Sequence, residues 1–278
     1  MGVTVLYHAN CFDGYGAAWA ASYALGAPSE TTKYIPMMYG QPVPEIPVGD
    51  VIYMLDYSRS RKELEALSIT NPLIVIDHHK SAQADCEGLP FCTFDMNHSG
   101  AYLAWRHFFP NEDVPWLIKY VEDRDLWRWE LLKSREVSAY IASFPMDRVM
   151  WDQIYQALEN RFDQVVVEGS AILRFQTQKV KDVCKHVQLI TVGLYKVPVA
   201  NSSLFMSEVG EQLLEMFPDA PFAGYYFDRE DGRRQFGFRS KGFDVSEVAK
   251  MYGGGGHQKA SGFELESPPV VWEYVKVG

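Results

Sequence analysis

Leu73-Ile74-Val75-Ile76 is an unbroken run of β-forming residues, followed at once by Asp77-His78-His79-Lys80. Such a run predicts a short strand covered on both faces, the kind found in parallel sheets. Val3–Tyr7 and Val51–Leu55 predict two further strands, the first running into His8 and the second ending at Asp56. Between them the apolar spacing turns helical. The stretch "AAWAASYALG" is alanine-rich and stopped by Gly26, "SRKELEAL" is amphipathic, and "SGAYLAWRHFF" and "VPWLIKYVED" predict two more helices. Regular alternation of strand and helix implies an α/β domain with a parallel sheet and right-handed crossovers. Sheets of this kind bind ligands beyond the C-terminal ends of their strands. Those ends carry His8, Asp13, Asp56 and Asp77-His78-His79.

Further along, the strand signal disappears. From Leu131 to His186 the segments "WDQIYQALENRF" and "VVVEGSAILRFQTQKVKDVCKHV" are helical in period, which predicts a helical connector. Strand-like stretches then return in "LITVGLYKVPVANSS", "FAGYYFDRE" and "RRQFGFRS". A helix at "SEVAKMY" precedes "GGGGHQKASGF". The expected organisation is a parallel-sheet domain over 1–130, a helical connector over 131–186 and a smaller α+β domain over 187–278.

Charge narrows the choice of partner. Aspartate and glutamate exceed lysine and arginine, 36 against 26, a net charge of −10. Such a balance repels long polyanions, so extended duplex nucleic acid is not expected. No apolar run reaches the length of a bilayer span, so no membrane partner is expected either. The four cysteines form no CxxC pair, and "MGVTVLYHAN" lacks the basic region and apolar core of a signal peptide; a reduced cytoplasm is expected. A homo-oligomer is compatible with all of this.

The polar strand ends suggest a metal site. Imidazoles and carboxylates from neighbouring strands can converge on one point, and that donor set suits manganese or another octahedral divalent cation. A pair of ions needs a bridging carboxylate, and Asp56, from the strand between the other two, is the natural bridge. Singly, each residue has a plainer role. An aspartate after a strand is also a helix N-cap or turn former, and Asp77 can serve to fix a histidine tautomer instead of binding metal.

The motifs "HANCFDG", "MLDYS", "DHHK" and "VEDRDLW" resemble, in order and spacing, the four motifs of the DHH phosphoesterase superfamily. "FGFRSKGFDVSEVAKMYGGGGHQKASGF" is similar to the signature of the DHH-associated C-terminal domain. The resemblance implies two Mn²⁺ ions, with Mg²⁺ or Co²⁺ as substitutes, held by His8, Asp13, Asp56, His78 and a motif-four acid. Asp123 and Asp125 both qualify; Asp123 is preferred because it follows the apolar run "LIKYV" and Glu122. His79 faces the scissile phosphate in this reading, with Asp56 and Asp77 completing the catalytic set. Many relatives carry Asp-x-Asp in motif one, where this chain has Cys11-Phe12-Asp13. Cys11 is either a thiolate ligand or a small buried residue.

Consecutive glycines let backbone amides approach an anion. Gly254, Gly255 and Gly256 with His257, Lys259 and Ser261 are therefore expected to bind substrate, together with Arg239, Lys80 and Arg124, placing the substrate between the domains. Phosphoryl transfer asks for positioning and charge neutralisation, with no protein nucleophile. The expected activity is a metal-dependent phosphodiesterase acting on short oligonucleotides, dinucleotides or 3′-phosphoadenosine 5′-phosphate. The alternatives are a manganese inorganic pyrophosphatase and a non-catalytic nucleotide sensor. Most tyrosines and tryptophans are expected in the core, not in base stacking.

Overall fold

The apolar runs of the N-terminal half form one all-parallel sheet in the computed structural model, which describes residues 2–266. The chain divides into two units between Leu173 and Arg174. The first contains β1 (Val3–His8), α1 (Phe12–Leu25), β2 (Thr32–Met37), β3 (Val51–Leu55), α2 (Arg61–Thr70), β4 (Leu73–Asp77), α3 (Gln83–Cys86) and β5 (Cys92–Phe94). It continues with α4 (Gly100–Phe108), α5 (Trp116–Asp125), α6 (Ser134–Ala142) and α7 (Arg148–Asn160), and α8 (Phe162–Cys184) crosses the division.

Strand order is β2-β1-β3-β4-β5, which puts β3 between the strands carrying His8 and Asp77. Both faces are covered, and this explains the unbroken apolar runs. Val5, Leu55 and Ile76 face one core with α1, α4, α5, α6 and α7. Their neighbours Leu6, Met54 and Val75 face another with Leu64 of α2 and Cys86 of α3. Each such side chain, fully buried, contributes about 1.5–3 kcal/mol. Val137, Tyr140 and Ile141 of α6 and Trp151, Ile154 and Ala157 of α7 belong to the first of these cores.

Two strands carry weak sequence signals. β2 contains Pro36 and lies at the sheet edge, where a missing N–H is tolerated. β5 has only three residues at the opposite edge. Small residues set the helix layer: α1 buries Ala17, Ala18, Ala20 and Ala21, and a Cβ on Gly16 would lie 2.9 Å from the Ala101 side chain of α4.

The second unit contains β6 (Gln188–Val192), β7 (Tyr195–Asn201), α9 (Met206–Met216), β8 (Ala223–Asp228), β9 (Arg234–Arg239), α10 (Val245–Met251), β10 (Gly255–His257) and β11 (Ala260–Leu265). Its sheet runs β10-β11-β9-β8-β7-β6, antiparallel except between β7 and β8. The whole is a two-part α/β structure. No helix among the described residues is long and apolar enough to cross a membrane.

Candidate metal centre

Strand register assembles the first part of the site. Tyr7 pairs with Leu55 and Leu55 with Ile76, so the next residues, His8, Asp56 and Asp77, stand in one row at the C-terminal edge. Asp56 leaves its strand with φ 53°, a left-handed conformation costing about 1–3 kcal/mol in a non-glycine residue. Its amide still donates to Ile76 O at 2.8 Å. Its carboxylate lies 3.4 Å from His8 Nδ1 and 3.1 Å from His78 Nε2.

The second part comes from two helix N-termini. α1 begins at Phe12, so Asp13 occupies its first turn, where the helix dipole favours a carboxylate. The turn is tight because Gly14 sits against β1; a Cβ there would lie 2.2 Å from His8 O. Asp13 also receives the first amides of α4, from Gly100 at 2.6 Å and Ala101 at 2.9 Å, while its Oδ2 lies 3.3 Å from His78 Nε2. It therefore combines a capping role with a place in the cluster. Gly100 makes the approach of α4 possible, since a Cβ there would lie 2.5 Å from Asp56 Cβ. Gly100→Ala should displace Asp56 and lower both activity and melting temperature, whereas Gly26→Ala, free of close neighbours but strained at φ 87°, should lower melting temperature and leave activity intact. Equal activity of Gly100→Ala and wild type would discard the close-approach argument.

Asp77 organises the two histidines. Its Oδ1 accepts from the His78 amide at 2.8 Å and the His79 amide at 3.2 Å, and lies 2.8 Å from His79 Nδ1. That contact leaves Nε2 as the His79 nitrogen that can meet a phosphoryl oxygen or a cation.

Of the two motif-four acids, the structure brings Asp125 to the cluster and not Asp123, which corrects the preference drawn from sequence. Asp125 Oδ2 lies 3.6 Å from His78 Nε2. The Asp123 carboxylate instead accepts from the amides of Glu130 at 3.0 Å and Leu131 at 3.4 Å and from the Ser134 hydroxyl. It holds the loop after α5, in which Trp127, Trp129 and Lys133 adopt positive φ. Residues two apart on a helix face different directions, so only one of these acids can reach the cluster. Arg124, between them, donates to Ser138 Oγ at 2.7 Å and lies over the Phe12 ring at 5.1 Å. Lys80 begins the 3₁₀ turn after His79.

Electrostatics bind the cluster together. Burial alone would raise the Asp56 carboxyl, but the imidazoles of His78, His79 and His8 hold it well below the usual carboxylate range. Burial would likewise lower His78, yet Asp13, Asp56 and Asp125 keep its imidazole well above the ordinary value. In His8 the same contest, with Asp56 the chief opposing partner, ends in a raised value. Asp125 goes the other way: burial and then Asp13 push its carboxyl up to about 7, with His78 offsetting only part of the rise. The Cys11 thiol is pushed up by burial and by Asp56, Asp125 and Asp13.

The residues fit a divalent cation. Both oxygens of Asp56 and Oδ2 of Asp125 are buried and accept no hydrogen bond from the described residues. Each such orphan costs about 1–3 kcal/mol, more when charged, unless a ligand satisfies it. Two trios, His8-Asp56-His79 and Asp13-Asp56-His78, each place their ligand atoms within 4.8 Å of one another, and Asp56 belongs to both. A shared carboxylate between two trios is the arrangement a pair of ions requires.

In the second unit, the remaining candidates gather on β9, β10 and β11. Ala260 pairs with both Arg239 and His257, so those two side chains flank one strand. Arg239 donates to Ser207 Oγ at 2.5 Å. The second half of the glycine run, Gly255 and Gly256, lies in the edge strand β10. Cβ atoms on Gly254 and Gly256 would lie 2.0 Å from Gly262 O and 2.7 Å from Ala260 O, so both glycines serve strand packing. Gly255 pairs with Gly262, and Lys259 occupies the β10–β11 turn, its carbonyl accepting from the Ser240 amide. The Ser261 hydroxyl donates to Val245 O at 2.6 Å.

Comparison with known proteins bears on the fold. No protein-family model matches the chain. It is 27% identical over 280 residues to an uncharacterized protein of Acanthamoeba polyphaga mimivirus, covering 93% of this chain and 66% of that one. The chain thus spans just under two thirds of that relative. A pGpG-specific phosphodiesterase from Vibrio cholerae is similar with a TM-score of 0.47 and 12% identity, over 95% of this chain and 93% of that one. The DHH domain of a member of the s1p family of ribosomal proteins superposes with a TM-score of 0.55 and 15% identity, over 95% of this chain and 83% of that one. With its five-stranded parallel sheet and second sheet, the chain has the fold of a DHH-domain protein.

Proposed function

We propose that the chain is a divalent-metal-dependent phosphodiesterase of the DHH superfamily that hydrolyses short oligonucleotides or small nucleotides. The observation that carries this reading is the buried Asp56 carboxylate, shared by two His/Asp trios and satisfied by no hydrogen bond from the described residues. Bound there, two Mn²⁺ ions would neutralise phosphoryl charge and lower the pKa of water. Mg²⁺ or Co²⁺ would fit the same donors.

In this reading His8, Asp13, Asp56, His78 and Asp125 hold the ions, and no side chain acts as a nucleophile. Asp77 fixes His79 through Nδ1, so that its Nε2 meets a non-bridging phosphate oxygen. Lys80 and Arg124, close in sequence to the cluster, and Arg239, His257 and Lys259 in the second unit are the cationic or hydrogen-bonding candidates for the rest of the substrate. A net charge of −10 supplies no general attraction for polyanions, which favours short substrates over long strands.

The test is a panel of ribo-oligonucleotides of two to about five residues, linear dinucleotides, 3′-phosphoadenosine 5′-phosphate and pyrophosphate, assayed with Mn²⁺ and with EDTA. Mononucleotide release that needs the cation is expected. Phosphate release from pyrophosphate alone would replace this reading by a pyrophosphatase, and binding without turnover by a sensor.

A further inference from the structure

An aromatic ring that the motifs did not flag borders the cluster. Tyr39 is 49% exposed and packs edge-on against two of the site's histidines, with ring centroids 5.5 Å from His8 and 5.9 Å from His79. Its position is built and not incidental. It lies in a tight turn closed by the Gln41 amide donating to Met38 O at 3.2 Å, with Gly40 at φ 85° supplying the left-handed corner. The Gln41 side chain accepts from the Met38 amide at 3.1 Å, and Arg59 donates to Gln41 O at 2.7 Å and to the Tyr57 hydroxyl at 3.0 Å. The Tyr57 ring, fully buried, supports Tyr39 at 5.3 Å.

We infer that Tyr39 is a substrate-positioning residue that packs on the nucleoside next to the scissile phosphate, and that the substrate therefore carries a base at that position. This rests on the phosphodiesterase reading above. A half-exposed phenol ring contributes little to an inorganic polyphosphate, whose oxygens need charge and hydrogen bonds. A base or ribose gains stacking area from it. In a protein of net charge −10, which gains little from tracking a phosphate backbone, such packing is a main source of affinity for a short nucleotide.

The experiment compares wild type, Tyr39→Ala, Tyr39→Phe and Tyr39→Trp, with Mn²⁺, on a ribotrinucleotide and on the same trinucleotide with its bases replaced one at a time by abasic residues. Tyr39→Ala should raise KM for the intact trinucleotide about tenfold, as expected for one lost stacking contact, with kcat little changed. For one abasic position the variant and wild type should have the same KM, which identifies the nucleoside that Tyr39 meets. Tyr39→Phe and Tyr39→Trp should behave as wild type, and thermal melting should not change. Equal losses on every abasic substrate, a fall in kcat alone, or no effect of Tyr39→Ala would overturn the inference while leaving the phosphodiesterase reading in place. An inactive wild type across all nucleotides would remove both.

Discussion

An Asp56→Ala variant is expected to lose about 10³-fold or more in phosphodiester hydrolysis while keeping its fold. Removal of a single preorganised electrostatic group from a phosphoryl- or acyl-transfer site already costs about 10²–10³-fold, and Asp56 is the group common to both trios. Its loss removes the ionised partner of three imidazoles and so costs some metal-free stability, but the apolar cores on both faces of the sheet are untouched and the fold is kept. The variant should also bind less Mn²⁺, measured as ions retained per chain after gel filtration. Cys11→Ser is the matched control: Cys11 belongs to neither trio, so a hydroxyl of similar size should preserve most activity. Undiminished hydrolysis by Asp56→Ala would reject the shared-ligand role.

The two motif-four acids should fail in opposite ways. Asp125→Asn keeps the side-chain volume but removes a carboxylate from the cluster, so activity should fall by about 10²-fold or more. Metal-free stability should not fall, and its gain over wild type should build up between about pH 4 and about pH 7 and stay constant above that. Burial and Asp13 make the ionised carboxyl unfavourable, and its folded pKa of about 7 exceeds the unfolded value of 3.8, so the wild-type penalty grows as pH rises from the unfolded value to the folded one and is complete above it. Asp123→Ala leaves the cluster untouched but strands two amides and a hydroxyl, and should cost on the order of 3 kcal/mol. Thermal melting and trinucleotide turnover of both variants separate the roles. If Asp123→Ala proves stable but inactive and Asp125→Asn proves active, the assignment made from geometry is wrong.

The contrast shows where reasoning from residue order reaches its limit. Both acids satisfy the spacing of the motif, and the apolar run before Asp123 gives it the stronger local signal. The choice between them depends on which way each points from α5 and on donors contributed by Glu130, Leu131 and Ser134, none of which is encoded next to the acid. Tyr39 was invisible for the same reason: an exposed tyrosine in a turn has no pattern, and only the packing of β1 and β4 brings His8 and His79 beside it. β2 and β5 carry weak signals because edge strands need no long apolar run, whereas α9 was legible, since Met206, Val209, Leu213 and Leu214 keep helical spacing.

What the amino-acid order determined by itself is the set of local choices: unbroken apolar runs for doubly covered strands, an alanine-rich stretch for a helix, and imidazoles and acids at strand ends. These are properties of a residue and its immediate neighbours. Tertiary structure decided which of those polar groups meet. Strand order put Asp56 between His8 and Asp77, the N-terminus of α4 claimed Asp13, and the loop after α5 claimed Asp123. The physical reason is that a buried carboxylate is satisfied by whichever donors arrive first in space, and nearness in space is set by register and helix packing over separations of tens of residues.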